Sequence, residues 1–200
     1  MANEKLIRVF DKQAKIYERR RRQRSEKKFR ERLIPFARGR VLEVAVGAGA
    51  NFPFYPKGVE VTAVDFSEEM LKKAKEAARE EGVSANFIHS DVETLSFPDH
   101  FFDTVISTLS ICGYEDPVNM LNSFNHWCKP DGQILLLEHG ISSNRLLGYL
   151  QTLLNPLNRK MVGCHLNRDM VHIIKQSNIE IEKIEHHLLD TVHLVWAKPR

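Results

Sequence analysis

Cysteine is scarce in this chain, and so are long apolar runs. Cys112, Cys128 and Cys164 are too few and too scattered for a disulfide framework or a structural zinc site. They read as reduced thiols, with Cys112 and Cys128 in or near a core. No pair of His, Asp or Cys residues has metal-ligand spacing, so no metal is expected. The N-terminus is charged throughout and shows no visible signal peptide, so none is expected. No run approaches a membrane span in length. The expected location is the cytoplasm, either free or peripheral to a membrane. There is no internal repeat, no low-complexity tract and no clear linker, and 200 residues suit one domain spanning 1–200.

Acidic residues are scarce at one end. Residues 1–40 hold fifteen Lys/Arg against five Asp/Glu, and the rest of the chain holds fourteen against twenty-one. The net charge of +3 therefore hides a basic arm ahead of an acidic body. Such asymmetry suits attraction to nucleic acid or to an anionic membrane surface.

The apolar spacing predicts an amphipathic helix over 4–18, with Leu6, Val9, Phe10, Ile16 and Tyr17 on one broad side. The basic run after it continues helical, with Phe29, Leu33 and Phe36 facing inward, until Pro35 and Gly39 help to end it. Short apolar strands follow at 40–45 and 59–66. A helix over 67–82 is capped by Ser67 and stopped by Gly82. Further strands read at 84–91, 101–111 and 133–140, with a helix over 117–128 and a Pro-Asp-Gly turn at 130–132. Nearly continuous apolar strands alternating with helices mean buried parallel strands, hence a doubly wound α/β sheet. Beyond Gly140 come a helical or irregular insert over 144–163, a helix over 168–177, and two strands suited to an antiparallel edge pair.

In such a sheet the loop after the first strand is the main ligand site. Here it reads "VLEVAVGAGANFPFYP", residues 41–56. Gly47 and Gly49 let a ligand approach the backbone. Two of the three glycines of a dinucleotide fingerprint are missing, and the Gly-Lys-Ser/Thr of a Walker loop is absent. Glu43, just before the loop, would repel a pyrophosphate. Asp65 ends the second strand, where an acid commonly takes a ribose diol. Asp91 ends the third and suits an adenine amino group. Three such acids fit a nucleoside with a positive charge at its far end, and S-adenosylmethionine is that molecule.

At these residues the chain resembles a known family. "VLEVAVGAGANFPFYP", "VTAVDFSEEMLKKAKE", "SDVETLSFPDHFFDTVIST" and "CKPDGQILLLEH" look like the successive motifs of class I S-adenosylmethionine-dependent methyltransferases, in order and at normal spacing. The resemblance implies the seven-stranded, mostly parallel, Rossmann-like sheet of that family, with N-terminal helices added. It implies S-adenosylmethionine as cofactor, held by Glu43, Ala45, Gly47, Gly49, Asn51, Asp65, Phe66, Met70, Asp91 and Val92, with Thr108 facing the methionine end. Ala45 replaces the usual first glycine of the loop, and Asp131 replaces a glycine of the usual Pro-Gly-Gly turn. "GANFPFYP", "LLLEHG" and "NPLNRKMVGCHLNRD" resemble more narrowly the ubiquinone/menaquinone-biosynthesis and phospholipid N-methyltransferase types. The run from Gly163 to Arg168 is closest to membrane-associated methyltransferase-like proteins that methylate alkyl thiols.

Methyl transfer asks mainly for alignment, and for a base only when the acceptor arrives protonated. Tyr114 reads either as a catalytic group or as a loop aromatic closing the cofactor pocket. His139 reads as a base or as a polar wall of the substrate pocket, and His165 sits beside Cys164 in the insert. Cys164 has little support as a nucleophile, because the cofactor supplies the electrophile. His186 and His187 read as strand or surface residues.

The arm over 1–38 has three readings: a solvated helix, a nucleic acid patch, or an interfacial helix on an anionic membrane. In related methyltransferases such helices roof the cofactor, which makes Tyr17 a lid residue. The insert over 144–167 adds Leu146, Leu147, Leu150, Leu153, Leu154 and Leu157 near the substrate site. Some of these are expected to pack on the body and the rest to cover an apolar acceptor. The expected reaction is methyl transfer to a small apolar or amphipathic acceptor: a phospholipid amine, a thiol or a quinol-like phenol. The rival is an RNA methyltransferase or RNA-binding protein using the basic arm. The acidic–proline–aromatic quartet usual in base-methylating enzymes is replaced here by "STLSICGYEDP".

Overall fold

The computed structural model describes residues 4–200. Two helices open it, α1 (Glu4–Arg22) and α2 (Lys27–Leu33). The sheet strands are β1 (Arg40–Val44), β2 (Glu60–Asp65), β3 (Ala85–His89), β4 (Phe102–Thr108), β5 (Cys128–His139), β6 (Ile179–His187) and β7 (Val192–Pro199). Between them lie α3 (Glu68–Glu81), α4 (Pro117–Trp127), α5 (Arg145–Met161) and α6 (Met170–Gln176). The strand order is β3-β2-β1-β4-β5-β7-β6. The first five strands are parallel, and β7 runs antiparallel to both β5 and β6. The chain direction across the sheet reverses between β1 and β4, which puts the crevice for a ligand at the carboxyl ends of those two strands.

Both faces of the sheet are covered, so alternate residues of each strand enter different cores. Leu42, Val44, Val64, Val105 and Leu136 pack toward α4 and α6. Val41, Ala63, Ile106, Leu135 and Leu137 pack toward α2 and α3. This is why the strands read as unbroken apolar runs. The helix signals hold in detail. Ser67 Oγ accepts from Met70 N at the start of α3, and Gly82 ends that helix at φ 68°, a left-handed conformation open to glycine. Asp116, Asn144 and Asp169 cap α4, α5 and α6 in the same way.

Two boundaries depart from the sequence reading. The basic run is not one continuous helix: Arg24 and Glu26 take left-handed φ values of 51° and 56°, and the chain folds back into α2. An Arg20–Glu26 ion pair of 2.7 Å spans that turn. The Pro-Asp-Gly stretch lies within β5, which begins at Cys128 and pairs with Phe102 before a register shift.

Candidate active site

A cavity of about 670 Å³ lies over the carboxyl ends of β1, β2 and β4. Its floor begins where β1 stops. Ala45 (φ 50°) and Gly47 (φ 55°) both hold left-handed backbone, which turns the chain out of the sheet. For alanine that conformation costs roughly 1–2 kcal/mol, so the departure at Ala45 is a matter of strain. Gly47 N donates to Asp65 Oδ2 (2.8 Å) and Ser67 N donates to Asp65 Oδ1 (2.9 Å). These bonds fix the carboxylate at the cavity edge. Burial nevertheless pushes the Asp65 carboxyl up to about 6, against those two N–H donors.

Of the sequence-predicted cofactor residues, Ala45, Gly47, Asp65, Phe66, Met70, Asp91 and Thr108 line this cavity. Glu43, Gly49, Asn51 and Val92 do not. Gly49 is needed for packing, since a Cβ there would sit 2.8 Å from the Phe52 ring and 2.9 Å from Ala77. Val92 belongs to the core beneath. Glu43 is buried, and its carboxylate accepts from Asn51 Nδ2 (2.8 Å) and Tyr55 Oη (2.7 Å). Desolvation lifts its carboxyl to about 7, opposed by those two donors. Asn51 passes the contact on: its Oδ1 accepts from Arg30 Nη1, and its Nδ2 donates to Thr108 Oγ1 at 3.2 Å. Glu43 thus reaches the cavity wall only through Asn51, Arg30 and Thr108.

Arg30 and Arg21 were not singled out by the sequence. Both are 5 % exposed and both line the cavity. Arg21 Nη1 donates to Glu80 of α3 (2.7 Å), while its Nε and Nη2 and the Nε of Arg30 are buried with no acceptor among the described residues. The arm is also clamped by Arg22 to Glu80 (2.9 Å), Lys73 to Glu18 (3.2 Å) and Arg32 to Glu185 (2.8 Å). Arg21, Arg22 and Arg32 are therefore paired against acids of the body. One signal would have found Arg21: residues 10, 14, 17 and 21 continue a single helical stripe, and Phe10, Ala14 and Tyr17 pack inward along it.

Three of the four predicted substrate-pocket residues, Tyr17, Tyr114 and His165, line the cavity. His139 does not. It lies behind Cys164, within 4.8 Å of the thiols of Cys112 and Cys164. Burial opposes its protonation, but the hydrogen bond to Cys164 and the charges of Cys164 and Glu138 outweigh it and raise the imidazole above its usual range. The Cys112 hydrogen bond holds the Cys164 thiol well below its ordinary value, with His139 adding to the effect. Burial keeps the Tyr114 phenol protonated well above its usual range. Its Oη donates to Ser110 Oγ at 3.4 Å. At His165, burial and the charges of Arg168 and Arg159 favour the neutral imidazole.

The arm and the insert meet above the cavity. Gln13 Nε2 donates to the Met161 carbonyl (3.0 Å), and a Cβ on Gly163 (φ 87°) would strike Leu6 at 2.7 Å. The rest of α5 does not behave as expected. Leu146, Leu150, Leu153, Leu154 and Leu157 are all exposed, Leu146 to 71 % and Leu153 to 62 %, as are Tyr149 and Met161. These residues form one face that ends at the cavity rim. Among the described residues no helix is long and apolar enough to cross a membrane.

A family model described as "Methyltransferase domain" matches residues 42–136, the segment that carries β1 to β5 and the cavity floor. Residues 42–136 thus carry a methyltransferase domain, and the chain is similar across it to class I S-adenosylmethionine-dependent methyltransferases. It is 36 % identical over 103 residues to a phosphatidylethanolamine N-methyltransferase of Cereibacter sphaeroides, covering 50 % of this chain and 51 % of that protein. It is 29 % identical over 164 residues to the thiol S-methyltransferase TMT1B of Rattus norvegicus, covering 80 % and 63 %. The chain thus spans about half to two thirds of the length of these relatives. Among solved structures, the PH0226 protein of Pyrococcus horikoshii superposes with a TM-score of 0.61 at 26 % identity, covering 82 % of each chain. The cofactor of this family is S-adenosylmethionine.

Proposed function

We propose that this chain transfers the methyl group of S-adenosylmethionine to an amphipathic acceptor taken from a membrane surface, with a phospholipid amine as the first candidate. The observation that carries the reading is the exposed apolar face of α5, which leads to the rim of the cavity.

The cavity residues fit the cofactor. The orphaned nitrogens of Arg21 and Arg30 suit its carboxylate. Each Asp65 oxygen accepts one N–H and keeps capacity for a ribose hydroxyl. Phe66 and Met70 offer apolar surface to the adenine, with Asp91 at its amino edge, and the bare backbone at Gly47 and Ala45 lies beside the methionine part. When bound, the cofactor supplies an electrophilic methyl on a sulfonium with a neutral thioether as leaving group. The protein's work is then alignment and the exclusion of water. Tyr17 and Phe10 of α1 close the roof. Lys5, Arg159 and Lys160 line the outer cavity, where a phosphate would sit. On this reading neutral His165 takes the proton of an ammonium acceptor, and Tyr114, whose Oη donates to Ser110 Oγ (3.4 Å), forms part of the pocket wall.

Two features favour the membrane over RNA as the partner. The arm's arginines are largely engaged with Glu18, Glu26, Glu80 and Glu185, which leaves less basic charge for phosphates. The unpartnered surface is apolar, and seven exposed large side chains on one helix suit the interfacial layer of a bilayer. The test is tritiated methyl transfer to vesicles of phosphatidylethanolamine, with and without phosphatidylglycerol. Label should enter the lipid fraction and rise with the anionic lipid. Label confined to a soluble thiol, or to RNA from a lysate, would overturn the proposal.

A further inference from the structure

We propose that Cys112, His139 and Cys164 form a binding site for a soft d10 cation, Zn²⁺ foremost, in the wall of the cavity. Chain spacing gives no hint of this set, but the fold brings the turn after β4, the end of β5 and the loop after α5 to one point. One ligand atom from each residue lies within 4.8 Å of the other two. In a tetrahedral Cys2His zinc site the ligand atoms stand roughly 3.5–4 Å apart, given metal–ligand bonds of about 2.0–2.3 Å. The three groups therefore need to close by little more than thermal motion to hold an ion.

The loops that carry them are tied together. His165 N donates to the Cys112 carbonyl (3.2 Å), and Arg168 Nη1 donates to the Ile111 carbonyl (3.0 Å). Asn158 Nδ2 reaches both the Cys164 carbonyl (2.8 Å) and its sulfur (3.3 Å), which orients that side chain. Two thiolates and a neutral imidazole make a soft donor set that disfavours Mg²⁺ and Ca²⁺, which prefer oxygen. With Zn²⁺ the set sums to no net charge, so the half-buried position is tolerable. Cys112 and Cys164 line the cavity, so an ion held by the three ligands would sit in its wall with one coordination position left over. Three protein ligands and one open position is the arrangement of reactive rather than purely structural zinc.

The test is a titration of the full chain, kept reduced with a phosphine, using Co²⁺ and then Zn²⁺. One equivalent of Co²⁺ should give a thiolate-to-metal band and the visible bands of tetrahedral cobalt, and one equivalent of Zn²⁺ should bleach both. Cys112→Ser, Cys164→Ser and His139→Gln should each weaken the site by at least ~100-fold. His186→Gln should leave the spectra unchanged, which separates this site from the His186–His193 pair (Nδ1 to Nδ1 3.0 Å). The circular dichroism and thermal midpoint of each variant check that it remains folded. No charge-transfer band in the reduced wild type, or a band that survives in folded Cys164→Ser, would overturn the proposal.

Discussion

Two helical regions flank the sheet of this protein, and each does the opposite of what its composition suggests. The basic arm, with nine Lys/Arg in the fourteen residues 19–32, folds inward. Arg21 and Arg30 are buried at the cavity, and their neighbours pair with acids of the body. The leucine-rich helix α5 folds outward, with Gly148 its one buried residue. Charge is drawn in where Glu80 and Glu185 of the body offer it partners. Apolar surface was left out because α5 is tied to the body by polar bonds. Gln151 Nε2 donates to the Gly140 carbonyl (3.0 Å), Ser142 N donates to Gln151 Oε1 (2.8 Å), and Asn155 Oδ1 accepts from Leu166 N (2.9 Å). Composition says what a segment can pair with. Only the rest of the molecule decides which partner it meets.

The largest expected effect is on the arm. Arg30→Ala leaves Asn51 Oδ1 without its donor and Glu43 without its nearest cation, both in the interior. The loss should be about 2–4 kcal/mol by urea denaturation, and it should be larger at pH 8 than at pH 6, because ionised Glu43 is then left with no cation beside it. An unchanged midpoint would mean that the arm only rests on the body.

The second effect sharpens the same contact through pH. Glu43 and Asp65 have carboxyls raised to about 7 and about 6 from ordinary values of 4.5 and 3.8, in both cases by burial first. A carboxyl raised by folding adds stability below its unfolded value, and that stability is lost as pH rises through the folded value. Cofactor-free protein should therefore be more stable at pH 5 than at pH 8, with Glu43 contributing on the order of 3 kcal/mol to the difference. Glu43→Gln should flatten the thermal midpoint against pH across that window. A midpoint that instead rises between pH 5 and 8 in the wild type would contradict the burial of these two groups.

The fold was legible because its signals are local: the apolar strands, Ser67 and Gly82 at the ends of α3, and the acids at the strand ends. Asp65 and Asp91 could be placed on the cavity because strand ends face the crevice in any such sheet. Glu43 could not, because Asn51 and Tyr55 intercept its carboxylate from eight and twelve residues away. The grouping of Cys112, His139 and Cys164 depends on three separate segments meeting, after β4, at the end of β5 and after α5, and no local pattern encodes it. Arg21 was legible in principle, but a run of four arginines looks uniform until the helical stripe is extended through it.

A third, smaller effect follows from that stripe. Arg21→Ala should weaken S-adenosylhomocysteine binding by about tenfold or more, since its unpartnered nitrogens are the ones offered to a carboxylate. Arg22→Ala, one residue on and exposed, should leave the affinity unchanged. Equal losses in both variants would mean that the arm acts as a diffuse field and not through one buried side chain.

The smallest effect is expected where the sequence looks most hydrophobic. Leu146, Leu153 and Leu157 touch solvent over more than half of their surface, so replacing them with serine removes little packing. Each substitution should change stability by no more than ~0.5 kcal/mol, and a triple variant should unfold at nearly the wild-type midpoint. The same variant should lose most of its binding to phosphatidylglycerol vesicles in a flotation assay, because apolar area entering the interface is what the leucines contribute. Its turnover of a soluble short-chain acceptor should persist, since none of the three lines the cavity. A triple variant that unfolds early would show that α5 packs on the body in solution, and the contrast between the two regions would fall. A variant that is stable and still floats with vesicles would move the membrane face elsewhere, with Leu188 and Leu189 on the β6–β7 turn as the next exposed apolar pair to change.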